Sequence, residues 1–352
     1  MKNSVICAAI IAAMCTACTE DEIVDQNQGR PIDFRSEIGS RGQAVTAGSL
    51  TSFVVSAFNG TATHMDKVEF TKAEGSNFYT SASSYYWPDE DATLSFIAYA
   101  PNETNFTGSV TLTSSEQKLK GYTLDTDISN QKDIIYASAT GKKSTNETSG
   151  VALAFKHAVA RIGLSAKNSG QYVYKVAGVK LGNIVSSGDF DFKTEKWTPS
   201  SNKESYKKEF TGSPVTLSAD KKSLIGTNDY PMVIPSKLTA WDPKSDPTNN
   251  TKGAYLAVLV NISNAAGKVL FPKDGSATEY GWVAVPINTE WNASTIYNYT
   301  LDFTDGAGLI DPVDPVPGGP EPGEPVFGDP IKFTVTVTDW TTGDVIEPEM
   351  TN

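Results

Sequence analysis

The segment TIYNYTLDF, residues 295–303, sets Tyr297, Tyr299, Leu301 and Phe303 on one side and Asn298, Thr300 and Asp302 on the other. A period of two residues marks a strand with one buried face, because successive side chains of an extended chain point to opposite sides. Similar short runs recur beyond residue 30: SFVVSAF (52–58), LSFIAYAP (94–101), DIIYAS (133–138), VALAF (151–155), AYLAVLVNI (254–262) and YGWVAVPI (280–287). Most are closed by Pro, Asn or Ser, and no segment sustains the 3.6-residue apolar period of a helix. The chain is therefore expected to be all-β, built from antiparallel β-sandwiches.

A length of 352 residues suits two domains of ordinary size. VALAF runs almost directly into KHAVARIGLSAK, as a strand crossing between two sandwiches would, which places the seam near Lys156. The expected domains are 32–156 and 157–305. Residues 306–330 hold seven prolines and six glycines in 25 positions and read as a linker. In a largely polyproline-like form it could span roughly 60–75 Å at about 3 Å per residue, enough to reach a neighbouring molecule. The segment 331–352 beyond it opens with a clean strand, IKFTVTV. That strand could serve another subunit or fold back onto its own domain.

The N-terminus MKNSVICAAIIAAMCTAC carries Lys2, an apolar run from Val5 to Met14 and then small residues, the layout of a secretion signal over residues 1–17. The run is too short to span a bilayer. Its end resembles a bacterial lipobox, with Ala17 before a lipidated Cys18, although Cys15 stands where lipoboxes usually carry Leu; an ordinary signal peptide cut nearby is the alternative. Residues 18–31 form an acidic, solvated tether that resembles the surface-export stretch of Bacteroidales lipoproteins. An outer-membrane, surface-exposed location follows. All three cysteines lie in the first 18 residues, so no disulfide framework exists to be read.

Net charge is −12, from 41 acidic and 29 basic residues, and no Lys/Arg-rich stripe offers itself to phosphates. Nucleic acid is not an expected partner. The two histidines, His64 and His157, would have to build any His-based metal site or triad. His157 lies between apolar residues and reads as a satisfied strand-edge histidine, and His64 as a loop residue. No G-x-S-x-G, H-E-x-x-H or P-loop occurs. Carboxylates cluster at DED (89–91) and in DPKSDPTNN (242–250), without the spacing of an EF-hand, and read as solvated loops. No catalytic role, cofactor or metal is expected.

Two distant segments share one pattern. Pro31, Ile32 and Phe34 stand in the same Pro-Ile-x-Phe order as Pro330, Ile331 and Phe333. In IDFRSEI, Ile32, Phe34, Ser36 and Ile38 share a face; in IKFTVTV, Ile331, Phe333, Val335 and Val337 do. The last strand is a better-filled copy of the first. Val335 in place of Ser36 adds about 1 kcal/mol or more on burial by apolar-area reasoning.

The order of IDFRSEIGSRG, LTSFVVSAF, YYWPDEDATLSFIAYAP, DIIYASA, VALAFKHAVARI, IYNYTLDF and FTVTVTDW resembles the Bacteroidales fimbrillin family of type V pilins. The resemblance covers nearly all of the chain after the signal. It implies two tandem transthyretin-like sandwiches, export as a lipoprotein, removal of the first strand by an arginine-specific protease, and assembly with other fimbrial subunits by strand exchange. Carried onto this sequence, the displaced residues are Ile32, Phe34 and Ile38, and the donor residues are Ile331, Phe333, Val335 and Val337. The expected cut lies between Arg41 and Gly42, in the small and polar run GSRGQAVTAGS; Arg30 precedes the first strand and Arg35 lies within it. The expected partners are fimbrial subunits, the outer membrane through the lipid before processing, and a host or bacterial surface ligand. A monomeric surface lipoprotein that binds glycan through exposed tryptophans is the competing reading, and an uncut anchor subunit a third.

Overall fold

A computed structural model describes residues 29–37, 50–72, 74–225, 230–244, 247–273, 275–317 and 319–340. The chain is all-β. Its first part supplies β1 (Phe34–Glu37), β2 (Ser52–Asn59), β3 (Ala62–Lys72), β4 (Tyr79–Ser81), β5 (Leu94–Ala100), β6 (Thr107–Leu112), β7 (Gln117–Thr123), β8 (Ile135–Gly141), β9 (Val151–Ala154) and β10 (Lys156–His157). Eight of these form one sheet in the order β10-β8-β5-β2-β3-β4-β1-β9. Only Phe155 separates β9 from β10, so one short segment occupies both ends of the sheet and draws it closed. Closure leaves fewer unpaired backbone groups along an edge.

The non-alternating look of SFVVSAF and LSFIAYA has a packing reason. Phe53, Val55 and Ala57 of β2, with Leu94, Phe96 and Ala98 of β5, enter a core inside the closed sheet. Val54 and Phe58, with Ile97 and Tyr99, enter a second core on the opposite face. Strands buried on both faces read as continuous apolar runs.

That second core changes the domain organisation expected at Lys156. Strand β7, paired on one side with β6, pairs on the other with Ser187–Asp191 from beyond the seam, which carries Lys196–Pro199 on its far side, in a four-stranded sheet. Val110, Leu119 and Tyr122 pack there in one cluster with Phe190 and Phe192. A boundary at 156/157 would cut both a sheet and a core. The segment 151–167 does run from the first sheet into the second part of the chain, through Ala160–Lys167.

The second part is a sandwich of two sheets. One holds Lys203–Glu209, the 13-residue strand Val173–Val185, Tyr255–Ser263, Gly281–Pro286 and Leu309–Ile310 in that order. The other holds Ala160–Lys167, Thr295–Asp302 and Lys332–Asp339, with Lys222–Ser223 and Met232–Val233 along its far side. Tyr297, Tyr299, Leu301 and Phe303 are all buried, while Asn298, Thr300 and Asp302 are half-exposed, so the alternation in TIYNYTLDF is realised. Thr295–Asp302 runs parallel to Ala160–Lys167, and β1 parallel to β9, so the sheets are mixed where the sequence suggests antiparallel pairing alone.

Candidate functional site: a buried first strand and an exposed last strand

Strand β1 is four residues long and sits between two others. It runs parallel to β9 with Phe34 opposite Val151 and Ser36 opposite Leu153, and meets β4 at Tyr79. Ile32 N–H donates to the Tyr85 carbonyl at 2.7 Å, and Val151 N–H to that of Asp33 at 3.0 Å. Ile32 and Phe34 are buried, Arg35 is exposed and Ser36 is half-buried, as a period of two requires. The Phe34 ring stands edge-on to Phe70 at 4.7 Å, Phe96 at 5.2 Å and Phe53 at 6.0 Å. It is the centre of an aromatic core.

The polar side of β1 is less well served. Asp33 lies 3.9 Å from Arg30, and its Oδ1 is buried without a hydrogen-bond partner. Burial raises its carboxyl above the ordinary range, partly opposed by the Arg30 charge. The adjoining Gly150 brings its backbone so close that a Cβ there would lie 2.9 Å from Asp33 Oδ1.

The last strand, Lys332–Asp339, folds back onto its own chain. It pairs antiparallel with Thr295–Asp302 over eight residues, from Asp302 opposite Lys332 to Thr295 opposite Asp339. Ile331 is buried, Phe333 and Val335 are half-buried, and Val337 is 55% exposed. Phe333 reaches the Tyr299 ring at 6.0 Å. Among the described residues no strand pairs with its outer edge. Just beyond, Trp340 stacks on the His157 ring at 3.8 Å, and His157 Nδ1 bonds Asp133 Oδ2 at 2.7 Å.

The Pro/Gly-rich stretch is a correction to the expected tether. It is folded into a hairpin-like flap: Ala307 N–H donates to the Phe327 carbonyl at 3.1 Å, Val326 N–H to Gly308 at 3.0 Å and Ile310 N–H to Glu324 at 2.9 Å. Leu309 and Ile310 join the sheet beside Ala284 and Val283. Beneath the flap, buried Lys180 pairs with Asp311 and Asp314, each at 2.7 Å. Proline and glycine are compatible with a folded turn when its few free N–H groups find partners. The reach estimated for an extended chain does not apply to this docked form.

Of the residues singled out in the sequence, Cys18, Ile38, Arg41 and Gly42 lie outside the described residues. Ile32 and Phe34 meet in one core, whereas Ile331, Phe333 and Val335 pack against the other. Trp87, Trp241, Trp282 and Trp291 are buried and serve packing, and Trp197 and Trp340 keep partial exposure. Asp91 accepts from Ser144 N–H and Oγ–H at 2.8 and 2.6 Å, and Asp242 from Lys244 N–H at 3.0 Å. Among the described residues no group of three His, Cys, Asp or Glu is placed to hold a metal, and no helix is long and apolar enough to cross a membrane. The Lys180–Asp311–Asp314 cluster is not legible in the sequence pattern. Its one sequence signal is a lysine inside the long apolar run VYKVAGVKLGNIV.

The sequence profile of the fimbrillin-like family matches residues 44–340. A solved fimbrial protein from Bacteroides vulgatus superposes with a TM-score of 0.61 at 14% identity, covering 89% of this chain and 100% of that one. A candidate cell adhesion protein from Bacteroides eggerthii gives a TM-score of 0.49 at 15% identity, over 89% and 97% of the two chains. No curated protein matches the sequence. With most of its length matched by that profile, the chain belongs to the fimbrillin-like family.

Proposed function

We propose that this protein is a structural subunit of a cell-surface fimbria, exported as a lipoprotein on Cys18, opened by cleavage between Arg41 and Gly42, and assembled by strand exchange in support of adhesion. One observation carries the reading. The strand buried around Phe34 has a same-order counterpart in Ile331, Phe333, Val335 and Val337, whose apolar face is only partly covered at home. Loss of β1 would leave a slot lined by Phe53, Phe70, Phe96 and Tyr79, with unpaired backbone on β4 and β9. An incoming strand satisfies the backbone and the apolar slot together.

Lys332 stands where Asp33 stands in the shared pattern, so exchange would put a lysine in place of a carboxylate whose Oδ1 is buried without a hydrogen-bond partner. The matched family region, 44–340, begins past β1 and ends with the last strand. Partners are other fimbrial subunits and, before cleavage, the outer membrane through the lipid. The test is Arg41→Ala in cells, followed by mass spectrometry of the mature N-terminus and by fibre imaging. The variant should keep its lipidated N-terminal segment and form no fibres; normal processing and normal fibres would sink the assignment.

A further inference from the structure

Lys180 lies mid-strand in Val173–Val185, opposite Ala257, which in turn faces Ala284. These small neighbours leave a trough in which the lysine side chain lies at 1% exposure, with Nζ 4.6 Å from the Trp282 ring and 5.8 Å from that of Tyr255. Asp311, fully buried, presents Oδ2 to Nζ at 2.7 Å. Its Oδ1 is held separately, accepting the N–H groups of Val313 and Asp314 at 2.9 Å each and the Tyr255 hydroxyl at 3.4 Å. Asp314 places its own Oδ2 at 2.7 Å from the same Nζ and is 44% exposed.

A buried ion pair is a weak stabiliser, since desolvation of both charges offsets most of their attraction. The geometry here also supplies the parts of an acyl-transfer site: a desolvated amine, a carboxyl carbon beside it, donors fixed on the oxygen that would carry developing negative charge, and a second carboxylate to move protons. We propose that Lys180 and Asp311 condense to an intramolecular amide, with Asp314 as the proton-transfer group. Lys180 Nζ gives one proton to Asp311 Oδ2, and the neutral amine attacks Cγ while Oδ1 is stabilised by its three donors. Asp314 takes the second proton from nitrogen and returns it to Oδ2, the Cγ–Oδ2 bond breaks, and one water leaves. One positive and one negative charge disappear together, and Asp314 is regenerated. The Lys180 contact holds the Asp314 carboxyl below its ordinary range, which keeps it ionised to accept that proton.

The link would tie the long central strand to the flap and leave Lys332–Asp339 outside the closed loop. The last strand could then depart while the flap stays fixed to the sheet. The inference does not depend on fimbrial assembly. Its test is the intact mass of the purified protein, measured against the sequence between its own mapped termini, with peptide mapping after digestion. The expected result is a chain one water lighter than its sequence, and a branched peptide joining the segment of Lys180 to that of Asp311. Lys180→Ala and Asp311→Ala should each have the full sequence mass, and Asp314→Asn should show the water loss slowed at least tenfold. A wild-type chain of full sequence mass without the branched peptide overturns the proposal, and wild-type conversion in Asp314→Asn overturns the role given to that residue.

Discussion

The first and last strands share a sequence pattern and differ in how the fold treats it. Strand β1 spans four residues and is paired on both sides, with Phe34 wholly buried. The last strand spans eight residues, is paired along one side, and leaves Val337 largely in solvent. The longer strand has the longer hydrogen-bond ladder and the weaker hold on the core. A backbone hydrogen bond exchanged with water contributes little net free energy, whereas a buried aromatic ring contributes several kcal/mol. Burial, more than ladder length, therefore decides which strand is hard to remove. If subunits exchange strands as proposed, β1 is the strand that must be cut away and the last strand the one that can leave uncut.

The largest effect that sharpens this contrast is at the centre of the first core. Phe34→Ala in the uncut chain should cost about 3–5 kcal/mol, the range for deleting a buried aromatic side chain. Urea unfolding measures it; a loss below about 1 kcal/mol would mean that β1 is not integral to its sheet. Phe333→Ala is the matched substitution in the last strand. Half-buried and in contact with one ring, Phe333 should lose about 1–2 kcal/mol on truncation, clearly less than Phe34. Equal losses at the two positions would erase the comparison.

Much of this arrangement is legible in the sequence, and the reasons it stops are physical. The alternation of Tyr297, Tyr299, Leu301 and Phe303 is local and survives in the fold. The shared Pro-Ile-x-Phe order is likewise local. Non-local pairing is where the reading ends. The chain past Gly306 is rich in proline and glycine, yet it folds because Leu309 and Ile310 find Ala284 and Val283, and because Asp311 finds a lysine 131 positions earlier, at 180. The seam at Lys156 fails as a clean boundary because β7 pairs with Ser187–Asp191, a contact that no window of sequence contains.

A smaller effect bears on how tightly β1 is held at different pH. Burial raises the Asp33 carboxyl in the folded chain above its unfolded value, so folding takes up a proton as pH falls through that range. Its contribution is then favourable at low pH and is lost as pH rises through the folded pKa, leaving β1 held less tightly at neutral pH. Asp33→Asn should flatten this part of the pH dependence of unfolding between mildly acidic and neutral solution. A wild-type profile in which stability falls with acidification, and a variant with the same slope, would show that Asp33 is not the group responsible.

The smallest effect on the monomer makes the sharpest division between the two strands' roles. Val337 is more than half exposed, so Val337→Thr, which keeps the shape and β-branching, should change monomer stability by less than about 0.5 kcal/mol. In a neighbour's slot the same side chain would stand at the position of Ile38 in the shared pattern, where apolar burial matters. Burying a hydroxyl without a partner there costs about 1–3 kcal/mol per subunit contact. Such a cost lowers the affinity of one subunit for the next by about fivefold to a hundredfold, since 1.4 kcal/mol is a factor of ten. The measurement pairs a urea titration of the monomer with the critical concentration for assembly of the cleaved subunit. A silent substitution in the first assay and a raised critical concentration in the second would place the residue in a foreign groove. If both are silent, Val337 faces solvent in the fibre as it does in the monomer, and the donor contact must be carried by Ile331 and Phe333 or lie elsewhere in the chain.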